Sequence, residues 1–159
     1  MEHKIEYVEN DLVRIAKREN NIRRKYLVVN PLQGKHVPVV PSKALKLFTD
    51  LADVFRNEYK NEKLLLVGFA ETATAIGAQA AISVGAKYIQ TTREVIPNVE
   101  YLFFSEEHSH ATEQKLVKDD IDSIADEIDR IVFVEDEVTT GNTILNIINI
   151  LDREYTGKF

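Results

Sequence analysis

The sequence predicts an α/β domain in which helices flank a doubly wound, mainly parallel sheet. Short runs of β-branched and apolar residues alternate along the chain with segments whose apolar residues recur at helical spacing. Strands that alternate with helices are typical of this architecture. Most of the runs are continuously apolar, as expected of parallel strands that are buried on both faces of the sheet.

The elements follow from these patterns. Ser42 is predicted to cap a helix after Pro41, and residues 121–128 carry a second helical pattern. The other predicted helices are 73–84 and 142–151. The predicted strands are 26–29, 37–40, 64–68, 88–91, 101–104 and 131–134.

Composition limits the function classes. The 159 residues predict a single domain over residues 1–159, and the net charge of −6 argues against general nucleic-acid binding. The absence of cysteine excludes disulfides and thiolate metal sites. The longest apolar run, residues 64–70, is short of the roughly 20 residues of a membrane span, and residues 1–4 lack the apolar stretch of a signal peptide. A cytoplasmic location is therefore expected.

A basic cluster near the N-terminus is the exception to the acidic composition. One interpretation is the exposed face of an N-terminal helix and its exit turn, and the other is contact with RNA or phosphate. The cluster comprises Arg14, Lys17, Arg18, Arg23, Arg24 and Lys25.

Residues 92–118 interrupt the alternation with a long polar segment. Connections of this length inside a compact domain are usually functional or mobile, so we expect a loop over the active face, partly a hairpin through residues 101–104. His108 and His110, with Glu106 and Glu107, are either solvated loop residues or ligands of a divalent metal.

Residues 131–143 are the most informative segment. A predicted buried strand ends in Glu135 and Asp136, and a small polar loop then opens a helix. Ligands of open α/β sheets bind beyond the carboxyl ends of the strands. The loop lets backbone N–H groups converge on an anion at the positive end of the helix, and Gly141 allows close approach. We therefore predict a phosphate site in this loop.

The two acids must face something other than that phosphate, because like charges repel. Hydroxyl donors, a metal ion or water are the alternatives. A sugar phosphate satisfies both halves of the segment, with its phosphate in the loop and its ring hydroxyls on Glu135 and Asp136.

Residues 131–143 resemble the signature of the type I phosphoribosyltransferases, which bind phosphoribosyl pyrophosphate (PRPP). The resemblance implies that Glu135 and Asp136 are the catalytic acids that hold the ribose 2- and 3-hydroxyls. Glu137 stands where the family prefers an aliphatic residue, and Thr139 where 6-oxopurine enzymes have an aspartate base, so orotate-type enzymes look closer. The implied 5-phosphate residues are Thr139, Thr140, Gly141, Asn142 and Thr143.

The resemblance extends upstream. The segment after the strand 64–68 lies where the family has its pyrophosphate loop, which implies Ala70, Glu71, Thr72 and Ala73 as pyrophosphate-binding residues. The alternative is an ordinary turn with Thr72 or Thr74 as the helix cap. Residues 92–118 correspond to the flexible hood loop, and they include Arg93 and Lys115 as further pyrophosphate contacts.

Residues 30–38, together with 106–114, look like a bacterial subgroup of phosphoribosyltransferase-like proteins that accompanies tellurium-resistance operons. This finer resemblance implies an acceptor other than a standard purine or pyrimidine. Lys35 and His36 are then acceptor-side residues, and the alternative is a purely structural turn.

The family reaction transfers the 5-phosphoribosyl group from PRPP to a nitrogenous acceptor, such as a nucleobase, and releases pyrophosphate with Mg²⁺ as cofactor. Relatives continue for at least one more strand, so the chain is expected to be a minimal version of the domain, a domain truncated at its C-terminus, or half of a site that a partner subunit completes. The sheet edge left by a missing strand favours a homodimer, which size-exclusion chromatography would test. Two alternatives remain. One is a non-catalytic PRPP or nucleotide sensor, or RNA-binding regulator, on the same fold. The other is an unrelated α/β phosphoacceptor domain.

Overall fold

The computed structural model describes residues 7–19, 22, 25–35, 37–104 and 114–158. No helix among them is long and apolar enough to cross a membrane. The strands are β1 (Arg14–Lys17), β2 (Tyr26–Val29), β3 (Leu64–Gly68), β4 (Lys87–Gln90), β5 (Tyr101–Phe104), β6 (Gln114–Val117) and β7 (Arg130–Val134). The helices are α1 (Glu9–Leu12), α2 (Pro41–Arg56), α3 (Thr74–Val84), α4 (Lys118–Asp122) and α5 (Asn142–Glu154), with a 3₁₀ turn at Ala125–Glu127.

The central sheet is parallel, in the order β4-β3-β7. β3 is its middle strand, and all of its residues are buried. Its side chains alternate between two apolar clusters because successive residues of a strand point to opposite faces. Leu65 and Val67 pack with α5 and the β5–β6 hairpin, whereas Leu64 and Leu66 pack with α2 and α3. Helices cover both faces, which confirms the predicted doubly wound α/β fold.

Two antiparallel hairpins flank the sheet, β1 with β2 and β5 with β6. The hairpin through residues 101–104 is thus present inside the predicted loop 92–118, and its second strand, β6, was not predicted. The sequence does not indicate this strand, because it begins with two polar residues, Gln114 and Lys115. Residues 105–113, with the candidate metal ligands Glu106, Glu107, His108 and His110, lie outside the described part of the chain.

Two strand and helix assignments were wrong. Residues 37–40 form no strand, because Pro38 and Pro41 lack the N–H groups that a ladder needs. Arg14 and Lys17 belong to β1 rather than to an N-terminal helix, since pairing with β2 outweighs the local helical pattern. Arg23 and Arg24 of the basic cluster are not described.

Two details of the helices also differ from the predictions. Ser42 does not cap α2, because the N-cap is Val40 and Pro41 takes the first helical position. The predicted helix 121–128 is divided into α4 and the 3₁₀ turn. The hydroxyl of Ser123 bonds back to the carbonyl of Asp120 at 2.8 Å, a local bond that competes with helix continuation.

Candidate functional site

The carboxyl ends of the three parallel strands bring their following loops to one edge of the sheet. The backbone N–H of Phe69, after β3, donates to the carbonyl of Val134 at the end of β7, at 3.1 Å. The N–H of Thr91, after β4, donates to the carbonyl of Gly68 at 2.9 Å. The loops that begin at residues 69, 91 and 135 are therefore neighbours.

Asp136 is the centre of this edge. Its side chain is only 5% exposed, and the ammonium of Lys35 donates to its Oδ2. The hydroxyl of Thr72 donates to its Oδ1 at 2.5 Å, and the side-chain amide of Gln33 donates to its backbone carbonyl at 3.1 Å. The turn 30–35 and the loop 70–73 thus meet at one carboxylate.

The two neighbouring acids have different electrostatics. Burial, and after it the neighbouring carboxylate of Asp136, together raise the pKa of Glu135 to about 7. Burial also acts to raise the pKa of Asp136, but hydrogen bonds from Lys35 and Thr72 outweigh burial and hold that pKa below its ordinary value. At neutral pH the site therefore holds one firmly ionised carboxylate beside one that is close to its titration midpoint.

The predicted 5-phosphate loop surrounds a small cavity of about 60 Å³ at the start of α5. Gly141 is the N-cap of α5, and its φ of 75° lies in the left-handed region that favours glycine. The positive end of a 13-residue helix therefore faces the cavity. The cavity is lined by Glu135, Glu137, Val138, Thr139, Thr140, Gly141, Asn142, Thr143 and Ile144, so the predicted loop residues do come together.

The predicted pyrophosphate loop crosses from β3 to α3. Ala70 and Ala73 are buried, Glu71 and Thr72 are exposed, and the Ala70–Glu71 peptide bond is cis. The alternative of a capping threonine is wrong, because the N-cap of α3 is Ala73 and no side chain caps it. Thr72 instead faces Asp136. The loop thereby contacts the acidic pair directly.

The other two predicted pyrophosphate contacts are placed differently. Arg93 is exposed and lies beyond the end of β4, at the same edge as the loops. Lys115 is 7% exposed, and its ammonium lies 4.3 Å from the ring centroid of Tyr101, on the side of the β5–β6 hairpin that also carries Phe103. The structure does not bring either side chain into contact with Asp136 or Thr72 among the described residues.

A second cavity, of about 180 Å³, adjoins Asp136. The cavity lies between the β1–β2 hairpin and Asp136. Lys35 lines it, whereas His36 lies outside the described residues. Its lining residues are Leu12, Val28, Val29, Asn30, Gln33, Lys35, Asp136 and Glu137.

Sequence reasoning missed the residues that support the site from a distance. Gln33 lay in a recognised turn but carried no motif, and Gln114 lay in a segment assigned to a loop. Thr91 is predicted from the sequence only as the last residue of a strand. A polar residue at the carboxyl end of a parallel strand could nevertheless have indicated a place near the ligand site.

This edge has the geometry of a sugar-phosphate site in an open α/β domain. The comparison with protein families is more specific, since the model of a family described as phosphoribosyl transferase matches residues 12–158. The chain therefore belongs to the phosphoribosyl transferase family. Membership confirms the resemblance that residues 131–143 indicated. A search of curated proteins finds no match.

Solved structures of adenine phosphoribosyltransferases share the fold. The Rhodothermus marinus enzyme matches with a TM-score of 0.59 and 15% identity over 92% of this chain and 77% of its own. The Trypanosoma brucei enzyme, in complex with AMP, pyrophosphate and ribose-5-phosphate, matches with a TM-score of 0.59 and 15% identity over 91% of this chain and 59% of its own. The Saccharomyces cerevisiae enzyme matches with a TM-score of 0.60 and 11% identity over 90% of this chain and 77% of its own.

Proposed function

We propose that the protein transfers the 5-phosphoribosyl group of PRPP to a nitrogenous acceptor and releases pyrophosphate. The bond between C1 of the ribose and the pyrophosphate oxygen breaks, and a bond between C1 and the acceptor nitrogen forms. The observation that carries the proposal is the contact between Thr72 and Asp136, which joins the pyrophosphate loop to the ribose acids beside the phosphate loop.

The donor would occupy three adjacent places. Its 5-phosphate would lie in the cavity before α5, where the helix N-terminus favours an anion. Its ribose hydroxyls would donate to Glu135 and Asp136, replacing the hydrogen bonds that Lys35 and Thr72 now make to Asp136. Thr72, released from the carboxylate, would then be free to donate to the pyrophosphate.

Magnesium fits this arrangement as a partner of the donor. Mg²⁺ is typically held by one or two carboxylates and substrate phosphates, so the ion would bind together with the donor, and Glu135 and Asp136 would be the carboxylates nearest to it. When bound, the ion would neutralise charge on the leaving pyrophosphate. Within the described part of the chain, no three His, Cys, Asp or Glu residues form a cluster that could hold a metal.

The acceptor would enter the cavity between the β1–β2 hairpin and Asp136. Apolar side chains such as Val28 suit a flat ring, and the amides of Asn30 and Gln33 offer polar contacts. Lys35 would stand on the acceptor side once ribose hydroxyls take its place on Asp136, and His36 follows it directly in the sequence. Assembly as a homodimer in the cytoplasm remains a prediction, as does the relation to the tellurium-resistance subgroup.

Calorimetric titration with PRPP, with and without Mg²⁺, tests the donor site. The change of Glu135→Gln together with Asp136→Asn should weaken PRPP binding by about 2–5 kcal/mol, because each lost charge-assisted hydrogen bond is worth about 1.5–3 kcal/mol. Unchanged affinity in the double variant would contradict the ribose role. The matched control is Asp119→Asn with Asp120→Asn, two neighbouring acids at the start of α4.

Pyrophosphate release separates transfer from sensing. Binding of PRPP without release for any tested acceptor would favour the non-catalytic regulator over the enzyme. Of the basic cluster, Arg14 and Lys17 are three positions apart on β1 and point to opposite faces of the hairpin, so these two residues do not act on one common surface.

A further inference from the structure

The backbone of Ala70 is held from two sides by side chains. Its N–H donates to the hydroxyl oxygen of Thr91 at 2.8 Å, and its carbonyl accepts from the side-chain amide of Gln114 at 2.9 Å. The hydroxyl of Thr91 in turn donates to the amide oxygen of Gln114 at 2.5 Å. The three bonds form a closed ring, which we call the Ala70 clamp.

The donors and acceptors of the clamp leave no alternative arrangement. A threonine hydroxyl supplies one donor and two acceptor sites, so Thr91 can accept from the N–H of Ala70 and donate to Gln114 at the same time. If the amide of Gln114 were flipped, its oxygen would face the carbonyl oxygen of Ala70, an unfavourable contact. The ring therefore fixes the orientation of both side chains.

Burial makes the clamp energetically important. Thr91 is 0% exposed and Ala70 is 9% exposed. When a buried donor or acceptor loses its partner, water does not replace the bond, and the full desolvation penalty of that group remains. Removal of one member should thus allow the backbone of Ala70 to shift rather than leave it in place.

The clamp sits at the entrance of the pyrophosphate loop. Ala70 is its first residue, and the exposed Glu71 and Thr72 follow immediately. Thr91 comes from the end of β4, and Gln114 is the first residue of β6, so two separate elements fix this one peptide. The 5-phosphate cavity before α5 includes none of the clamp residues.

We propose that Thr91 and Gln114 are positioning residues for the pyrophosphate half of the donor. They hold the backbone of Ala70 so that the loop 70–73 presents the N–H groups of Glu71 and Thr72, and the hydroxyl of Thr72, to the diphosphate, while the N–H groups of Ala70 and Ala73 bond within the protein. The inference rests on the proposed function, because it requires PRPP as the donor. It has one specific consequence, a split between the two affinities. Loss of the clamp should weaken binding of the diphosphate and leave binding of the 5-phosphate unchanged.

Calorimetry with two ligands measures this split. Thr91→Val keeps the side-chain shape and removes the hydroxyl, and Gln114→Glu keeps an acceptor for Thr91 while it places a carboxylate oxygen against the carbonyl of Ala70. Each variant should bind PRPP about tenfold or more weakly, the equivalent of one lost hydrogen bond. Affinity for ribose 5-phosphate, which lacks the diphosphate, should stay within about twofold.

Two further variants distinguish positioning from general damage. Thr91→Ser restores the hydroxyl and should recover PRPP affinity to within about threefold of the unmodified protein. Thr49→Val makes the same change on α2, where the hydroxyl bonds to Gln79 and Ser83 away from the site, and should alter neither affinity.

The outcomes separate the clamp from the proposed function. Parallel loss of affinity for both ligands, or unchanged PRPP affinity in Thr91→Val and Gln114→Glu, would overturn the clamp. If the unmodified protein bound neither PRPP nor ribose 5-phosphate, the proposed function would fall and the clamp's role with it. Binding of both ligands by the unmodified protein, with the split in the variants, would support both.

Discussion

Adjacent carboxylates at the sheet edge are placed in unlike surroundings. Asp136 has its two oxygens satisfied by an ammonium and a hydroxyl, so it stays ionised. Among the described residues, Glu135 has no comparable hydrogen bond from a cation, and mainly burial raises its pKa to about 7. The pair thereby avoids full like-charge repulsion until a ligand supplies donors to both acids.

The raised pKa of Glu135 predicts a stability that depends on pH. The folded protein favours the protonated form of Glu135. The stability that this protonated side chain contributes is therefore fully present below its ordinary pKa of 4.5 and is lost as pH rises through about 7. Glu135→Gln cannot ionise and escapes this loss. We expect the stability of the variant relative to the unmodified protein to increase from about pH 5 to about pH 8.5.

Urea unfolding of both proteins at several pH values checks this prediction. Every other titratable group is present in both proteins, so its contribution cancels in the difference. Asp136 does not interfere, because its lowered pKa moves its contribution to pH values below 3.8. A difference that stays constant across the range would show that Glu135 is not destabilised by ionisation.

Helix α3 and strand β3 approach each other through glycine. Tyr88 of β4 lies over Gly68 and Gly77, and its hydroxyl donates to the carbonyl of Thr74 at 3.0 Å. A Cβ atom on Gly77 would come within 2.7 Å of the Tyr88 ring. This packing sets the position of the first turn of α3, and with it the end of the loop 70–73.

Gly77→Ala should destabilise the protein by about 1–3 kcal/mol, because overpacking outweighs the gain of about 1 kcal/mol in helix propensity. Urea unfolding measures the change. In a Tyr88→Leu background the ring is absent, and the same glycine change should cost less or become stabilising. A stabilising Gly77→Ala in the unmodified protein would contradict the packing argument.

The sheet unites the molecule into one core with two faces. Leu65 and Leu66 are neighbours on β3 and both 0% exposed, yet they belong to different apolar clusters. Because one strand contributes to both clusters, neither cluster can lose its packing without disturbing the other.

Leu65→Ala and Leu66→Ala should each lower the free energy of unfolding by about 2–5 kcal/mol, the usual cost of a cavity left by a buried leucine. Each should shift one and the same cooperative transition, followed by circular dichroism and by tyrosine fluorescence. Two separate transitions, with each substitution moving only one of them, would contradict a shared core.

The sequence by itself determined the parts of the site that are contiguous. A strand, an acidic pair, a glycine-containing loop and a helix follow one another in residues 131–143, and each depends on neighbouring residues alone. The alternation of apolar strands and amphipathic helices likewise predicted the doubly wound fold. Local hydrogen bonding and side-chain periodicity are enough for both.

Only the tertiary structure decided which distant residues meet at the edge of the sheet. Lys35 and Asp136 are 101 positions apart, Thr72 and Asp136 are 64 apart, and Gln114 and Ala70 are 44 apart. For a polar side chain in a turn or in an unrecognised strand, no local sequence pattern indicates which distant residue it will hydrogen-bond to. Its partner is fixed by strand order and register, because these bring the carboxyl ends of β3, β4 and β7 together.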